Sequence, residues 1–320
     1  MTRALAALTL CLSCSCIGSA RLHDRAIALN ARAASLIEQG ALAEARGALE
    51  ASLEFSPRFS EAHANLGLVA IRQGRHDEAE QHLGRAVRLN PDFAEAWTSL
   101  ASLSYRAGRT DQAILRAERA VEVDPDFHEA RSLLVRLLVT ANRLEEAETQ
   151  AVRLVAVQPD SADAHAMLAM VAIAGQRLGQ ARRELERAGS IDPQCRLAEE
   201  VRGRLRFAER RWAEAAADLG ATALRRPADV DLRYLLAVAL LQSGELPRAR
   251  SALEWIIAAR PGHAQALAAL ALAEAASGDA ARARELVARA LRERPGLPEA
   301  LEIGRRLDAS CANPMVAVER

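Results

Sequence analysis

Small and apolar residues recur along this chain at a fixed interval of 34 positions. Leu66, Leu100, Leu134, Leu168, Leu236 and Leu270 occupy one register, and Ala33, Gly67, Ala101, Ala169, Gly203, Ala237 and Ala271 stand one place after it. A further register, Ala45, Ala79, Ala113, Ala147, Ala181, Ala215, Ala249 and Ala283, is alanine in all eight copies. Eight of the eleven prolines keep the same interval, from Pro57 to Pro295. Closing each unit two residues after its proline gives repeats at 26–59, 60–93, 94–127, 128–161, 162–195, 196–229, 230–263 and 264–297, with no insertion. Each unit predicts helix A at positions 1–14, a turn, helix B at 17–30, and a second turn at the proline, which cannot continue a helix.

The turn between helices carries its own signal. Gly40, Gly74, Gly108, Gly244 and Gly278 stand at position 15, where a left-handed residue closes helix A, and Asn142 is the best substitute in the remaining copies. The invariant alanine at position 20 lets a second helix approach closely. One unit of this size cannot bury both faces of its helices, whereas stacked neighbours can, so stability becomes a sum over adjacent repeats. The ends then need caps. Residues 298–309 read as a final solvating helix, with Leu301 and Leu307 on one side and Arg305 and Arg306 on the other; 310–320 read as a flexible tail, and 21–25 as a linker to the leader or the beginning of the first helix.

The combination of Trp or Leu at position 4, Leu at 7, Gly or Ala at 8, Gly at 15, Ala at 20, Ala at 27 and Pro at 32 resembles the tetratricopeptide repeat (TPR) pattern. The stretch "AEAWTSLASLSYRAGRTDQAILRAERAVEVDP", Ala94 to Pro125, is its nearest copy here. The resemblance implies an all-α fold, a right-handed α-solenoid of eight helix-turn-helix repeats with a C-terminal capping helix. It also implies that helix A lines a concave groove for another protein. Reading the inward positions along repeats four to seven gives the candidate partner-binding residues Leu133, Arg136, Met167, Met170, Val201, Arg204, Tyr234, Leu235 and Val238. Apolar anchors with adaptable Met and a few Arg suit an extended peptide or an amphipathic helix. The carboxylate-clamp adaptors of the family need Lys and Asn in the groove; this chain has no lysine, and Asn65 alone is not a clamp.

Composition changes this picture little. Half of the chain is hydrophobic but only 3% is aromatic, a helix-former's palette. The formal net charge is zero, so no nucleic-acid partner is expected. The first twenty residues do add something. Arg3, an apolar run from Ala4 to Leu12, and the small exit Gly18-Ser19-Ala20 have the anatomy of a bacterial export signal. Cleavage after Ala20 would release a soluble protein. Cleavage before Cys14 would resemble lipoprotein processing, with Cys14 (or Cys16) lipidated, although Cys11 stands where that signal usually has Leu. An ordinary cytoplasmic terminus is the third reading. Cys195 and Cys311 are too few for a disulfide framework and read as unpaired, Cys195 as an incidental loop residue.

No pattern points to catalysis. The chain has no HExxH, no pair of CxxC motifs, no phosphate-cradling glycine loop and no GxSxG. His63 and His165, both at position 4, read as packing residues rather than metal ligands, so neither cofactor nor metal is expected. Repeat six departs furthest from the pattern: Arg202 and Arg206 replace apolar residues and Arg210 replaces the turn glycine. That implies either a splayed unit or arginines snorkelling past the core edge, with a local basic patch including Arg211, Arg225, Arg226 and Arg233. The expectation is a non-enzymatic scaffold of the bacterial cell envelope, periplasmic or anchored at the outer membrane. It would hold a peptide or helix of a partner in a pilus, secretin, motility or polysaccharide-export machine, with membrane contact only through a lipid anchor. A cytoplasmic adaptor and a regulatory subunit of a glycosyltransferase or export complex are the alternatives.

Overall fold

A computed structural model describes residues 22–312, which are helical throughout apart from short turns. The candidate export segment, 1–20, with Cys14 and Cys16, lies outside the described residues. The chain divides into two compact units, Met1–Asp124 and Pro125–Arg320. The first holds α1 (Asp24–Glu38), α2 (Leu42–Phe55), α3 (Ser60–Arg72), α4 (His76–Leu89), α5 (Ala94–Arg106) and α6 (Thr110–Val123). The second holds α7 (His128–Thr140), α8 (Leu144–Val157), α9 (Ala162–Ala174), α10 (Leu178–Ile191), α11 (Arg196–Ala208), α12 (Trp212–Arg225), α13 (Val230–Gln242), α14 (Leu246–Ala259), α15 (Ala264–Ala276), α16 (Ala280–Glu293) and α17 (Pro298–Ala312). The fold is thus an all-α solenoid of eight helix pairs and a terminal helix, with no strand among the described residues.

The turn explains why helix A stops at position 13. Position 15 has positive φ in every repeat: 74° to 91° in the five glycines, and 58°, 58° and 61° in Asn142, Gln176 and Arg210. Asparagine tolerates this region, whereas Gln176 and Arg210 carry a Cβ into it at a cost of roughly 1–2 kcal/mol each. The preceding residue caps helix A through its backbone N–H, as Gln73 does onto Val69 O and Ile71 O.

Close packing of each pair comes from small residues. All eight position-20 alanines are fully buried. A Cβ on Gly67 would stand 2.5 Å from Leu83 Cγ, and one on Gly203 would stand 3.0 Å from Leu219 Cδ2. Glycine at position 8 therefore makes room for leucine at position 24. In repeat four the order reverses, with Val135 at position 8 and Ala151 at position 24, both fully buried. Within the second unit α9 packs on both α7 and α11, and α17 covers α15 and α16. Leu297, Ala300, Ile303 and Leu307 thereby join the last core cluster.

The ends refine the sequence expectation. His23 caps α1 by accepting from Arg25 N, so Asp24 and Arg25 begin the first helix. The terminal helix, expected at 298–309, continues to Ala312, because no breaker occurs before Pro314. Of the expected tail, 310–312 are therefore helical and 313–320 lie outside the described residues. No helix among the described residues is long and apolar enough to cross a membrane.

Candidate protein-binding face and the position-four latch

Position 4 has a geometric role that the repeat pattern alone did not reveal. In five of the eight repeats its side chain donates to the carbonyl of the proline six residues earlier, fastening the start of helix A to the end of the preceding repeat. His63 Nε2 meets Pro57 O at 3.2 Å, Trp97 Nε1 meets Pro91 O at 2.9 Å and His165 Nε2 meets Pro159 O at 3.1 Å. Arg131 donates through Nη2 to Pro125 O, and Arg233 to Pro227 O at 3.0 Å. A carbonyl can only accept, so each of these side chains is a donor at that atom. Trp, His and Arg share little shape, but each carries a nitrogen-bound proton at the end of a long side chain.

The second polar end of each latch meets a different partner. Arg131 is buried, gives Nη1 to Gln150 Oε1 at 2.7 Å, and has its pKa lowered foremost by that burial. Arg233 lies over the Trp255 ring, 3.9 Å from its centroid. His165 Nδ1 meets Glu184 Oε2 at 2.7 Å. His63 Nδ1 faces His82 Nδ1 at 3.3 Å, and burial lowers the pKa of both rings.

Along the second unit, the candidate groove residues fall into two groups. Leu133, Met167 and Val201, all at position 6, are buried at 6%, 5% and 1% exposure. This position turns toward the neighbouring helix pair: Val201 of α11 clusters with Ala169 and Ala172 of α9. These three are core residues here, which corrects their reading as an open lining. Position 9 remains a surface row, made by exposed Arg136 and half-buried Met170, Arg204 and Val238. Leu235 and Tyr234 are half-buried beside it, and Tyr234 packs on His263 with centroids 5.4 Å apart. Burial pushes the Tyr234 phenol up from its ordinary pKa. Ile173 and Leu241 continue the apolar row at position 12 and pack partly into the adjoining cores.

The charges on this face are unequal. Arg204 is held by Glu200 at 3.1 Å, and Glu200 also receives Arg226 at 2.5 Å. The Arg136 guanidinium has no ion-pair partner among the described residues. Glu129, Asp163 and Asp231, one turn-pair earlier at position 2, line the start of the same helices as exposed acids.

Repeat six resolves its unusual arginines by pairing. Arg202 Nε and Arg206 Nη1 reach Asp218 Oδ2 of α12 at 3.4 and 2.9 Å, so both snorkel out of the A–B seam toward one acid. Burial raises the Asp218 pKa foremost, against the pull of the two guanidiniums. Arg225 pairs with Glu199 at 2.5 Å, and Arg211 pairs with Glu214 at 2.5 Å. The arginine cluster is thus neutralised locally and is not a free basic patch. Cys195 is also not incidental. It caps α11 by accepting from Ala198 N at 3.3 Å and donates to Asp163 Oδ1 at 3.2 Å; burial pushes its pKa to about 11, which makes it an inert thiol.

Helix pairs of fixed length, a left-handed turn and small residues at fixed seams define a repeat solenoid built to present surface. The chain belongs to the tetratricopeptide repeat family, whose models match residues 36–103 and 104–162, and again 201–254 and 240–298. No curated protein matches the sequence. Among solved structures the chain is similar in fold to one of the APC/C hetero-tetramer Cut9-Hcn1, with TM-score 0.68 and 14% identity over 87% of this chain and 55% of that one. It therefore spans about half the length of that relative. It is also similar to a tetratricopeptide repeat protein from Parabacteroides merdae ATCC 43184, with TM-score 0.54 and 16% identity over 78% of this chain and 98% of that one. Pseudomonas aeruginosa pilF gives TM-score 0.53 and 15% identity over 66% of this chain and 96% of that one. At these identities the likeness is one of fold.

Proposed function

We propose that this chain is an exported bacterial scaffold whose second unit captures an amphipathic helix or extended peptide of another envelope protein. The observation that carries the reading is the position-9 row: Met170 and Val238 half-buried, with exposed, unpaired Arg136 at its edge. Met and Val at partial exposure offer apolar area without a fixed shape, and a free guanidinium supplies an anchor for a carboxylate. The exposed acids at position 2 favour a partner with basic residues at one end of its apolar stripe. The family's repeats suit protein–protein interaction, and the work proposed here is binding rather than chemistry.

The envelope setting is supported by the leader-like anatomy of the first twenty residues, with Cys14 or Cys16 as the lipidation candidate. Pilus, secretin, motility and polysaccharide-export assemblies are the machines such a scaffold would serve. Two measurements test the two halves of the proposal. Mass spectrometry of the mature N-terminus should find a diacylglyceryl Cys14 or Cys16, or a start at Arg21; an intact Met1 in the cytosol overturns export and returns the cytoplasmic adaptor. Capture from an envelope extract should fall at least tenfold for Arg136→Glu/Val238→Glu, with the helical content unchanged. Equal capture by the variant and the wild type rules out this face.

A further inference from the structure

Repeat two holds a constellation that the scaffold reading does not use. His63 of α3 and His82 of α4 point their Nδ1 atoms at one another across 3.3 Å, with ring centroids 5.6 Å apart and planes tilted by 29°. Each outer nitrogen faces an oxygen acceptor. His63 Nε2 is committed as a donor to Pro57 O, which leaves a lone pair on its Nδ1. His82 Nε2 lies 3.8 Å from Glu78 Oε1. The pair opens on a cavity of about 820 Å³ that is also lined by Asp77, Gln81 and Arg85.

We propose that His63 and His82 form a two-histidine clamp for Zn²⁺. Two imidazole nitrogens bound to one tetrahedral zinc at about 2.0–2.1 Å stand about 3.3–3.4 Å apart, which is the separation these two Nδ1 atoms already have. The metal takes the place of the proton shared between the rings. His82 moves its proton from Nδ1 to Nε2, toward Glu78, no net proton is released, and each ring rotates slightly toward the cavity. His63 then keeps its backbone carbonyl as the outer acceptor that orients a metal-bound histidine, while Glu78, which already receives Arg46 at 2.6 Å, has to close the 3.8 Å gap to serve His82 in the same way. No group of three or more His, Cys, Asp or Glu converges among the described residues, so solvent from the cavity completes the coordination shell. Repeat five marks the boundary of the inference. There Glu184 occupies His165 Nδ1 at 2.7 Å, and one imidazole alone makes no clamp.

Equilibrium dialysis of the full chain against Zn²⁺ tests the clamp. The wild type should retain one equivalent. His63→Gln and His82→Gln should each weaken retention at least tenfold, while His76→Gln and His128→Gln leave it unchanged. His82 makes no proline latch, so His82→Gln keeps its fold, as circular dichroism would verify. In the wild type, Zn²⁺ should shift the Nδ1 resonances of His63 and His82 ahead of those of the other histidines. Retention no greater than that of the His63→Gln/His82→Gln double variant overturns the proposal. So do His63 and His82 ring resonances that stay put as zinc is added.

Discussion

Repeats two and five begin alike and finish differently. In both, a position-4 histidine donates Nε2–H to the proline carbonyl of the preceding repeat, at 3.2 and 3.1 Å. In both, Nδ1 then turns to position 23 of its own helix B. Repeat five places Glu184 there and makes a charge-assisted contact of 2.7 Å. Repeat two places His82 there and leaves two imidazoles sharing one proton. Five of the eight repeats place a donor at position 4, whereas repeats one, six and eight have Leu29, Glu199 and Leu267 there, and position 23 varies independently. The same scaffold bond supports an imidazole–carboxylate contact in one repeat and a potential ligand pair in the other.

The comparison can be broken most forcefully at repeat five. His165→Leu removes the latch and strips Glu184 of its partner, which should cost about 2–3 kcal/mol. His63→Leu loses a latch but strands only a half-exposed imidazole, and should cost about 1–2 kcal/mol. Denaturant unfolding of the two variants checks the order; a larger loss at His63 would contradict the ranking of partners. A smaller effect isolates the latch itself. Trp97→Phe keeps the ring and removes only the N–H that meets Pro91 O, so it should cost about 1 kcal/mol. An unchanged midpoint would reduce the latch to a bystander of packing.

The smallest effect is set by pH. Burial holds the folded-state pKa of His63 and His82 below their ordinary value of 6.5. The unfolded chain then binds more protons in that range, so stability rises with pH. Their contribution is complete above about 6.5 and is lost as pH falls through the lowered folded-state values. Thermal melts from pH 7 down to pH 5 should lose stability, and His82→Gln should flatten the slope. An equally steep slope in the variant would place the titration elsewhere.

Most of the fold was legible because the 34-residue period reports what every repeat must do. The prolines set the helix ends, the alanines at position 20 the close seam, and the glycines at position 15 the left-handed turn. The period is blind to what only one repeat does. Gln176 and Arg210 enter the same left-handed turn without a sequence preference for it, carried there by the packing on either side. Leu133, Met167 and Val201 resembled groove residues because the pattern marks a helix face but not which neighbour covers it. Trp97 and Arg131 interchange at position 4 because both donate to a proline carbonyl, a shared role that residue type alone does not display. His63 and His82 stand 19 residues apart, off the period, and only the antiparallel pairing of α3 with α4 brings them together.

The latch underlies both the packing argument and the clamp, and the protonation of the histidine rings tests it most directly. A long-range ¹H–¹⁵N correlation of the imidazoles at pH 7.5 should show His63 and His165 each protonated at Nε2, the atom that meets Pro57 O and Pro159 O. A His63 ring protonated at Nδ1 with a bare Nε2 would contradict the account, because it would leave the proline carbonyl without its donor and the clamp without its lone pair.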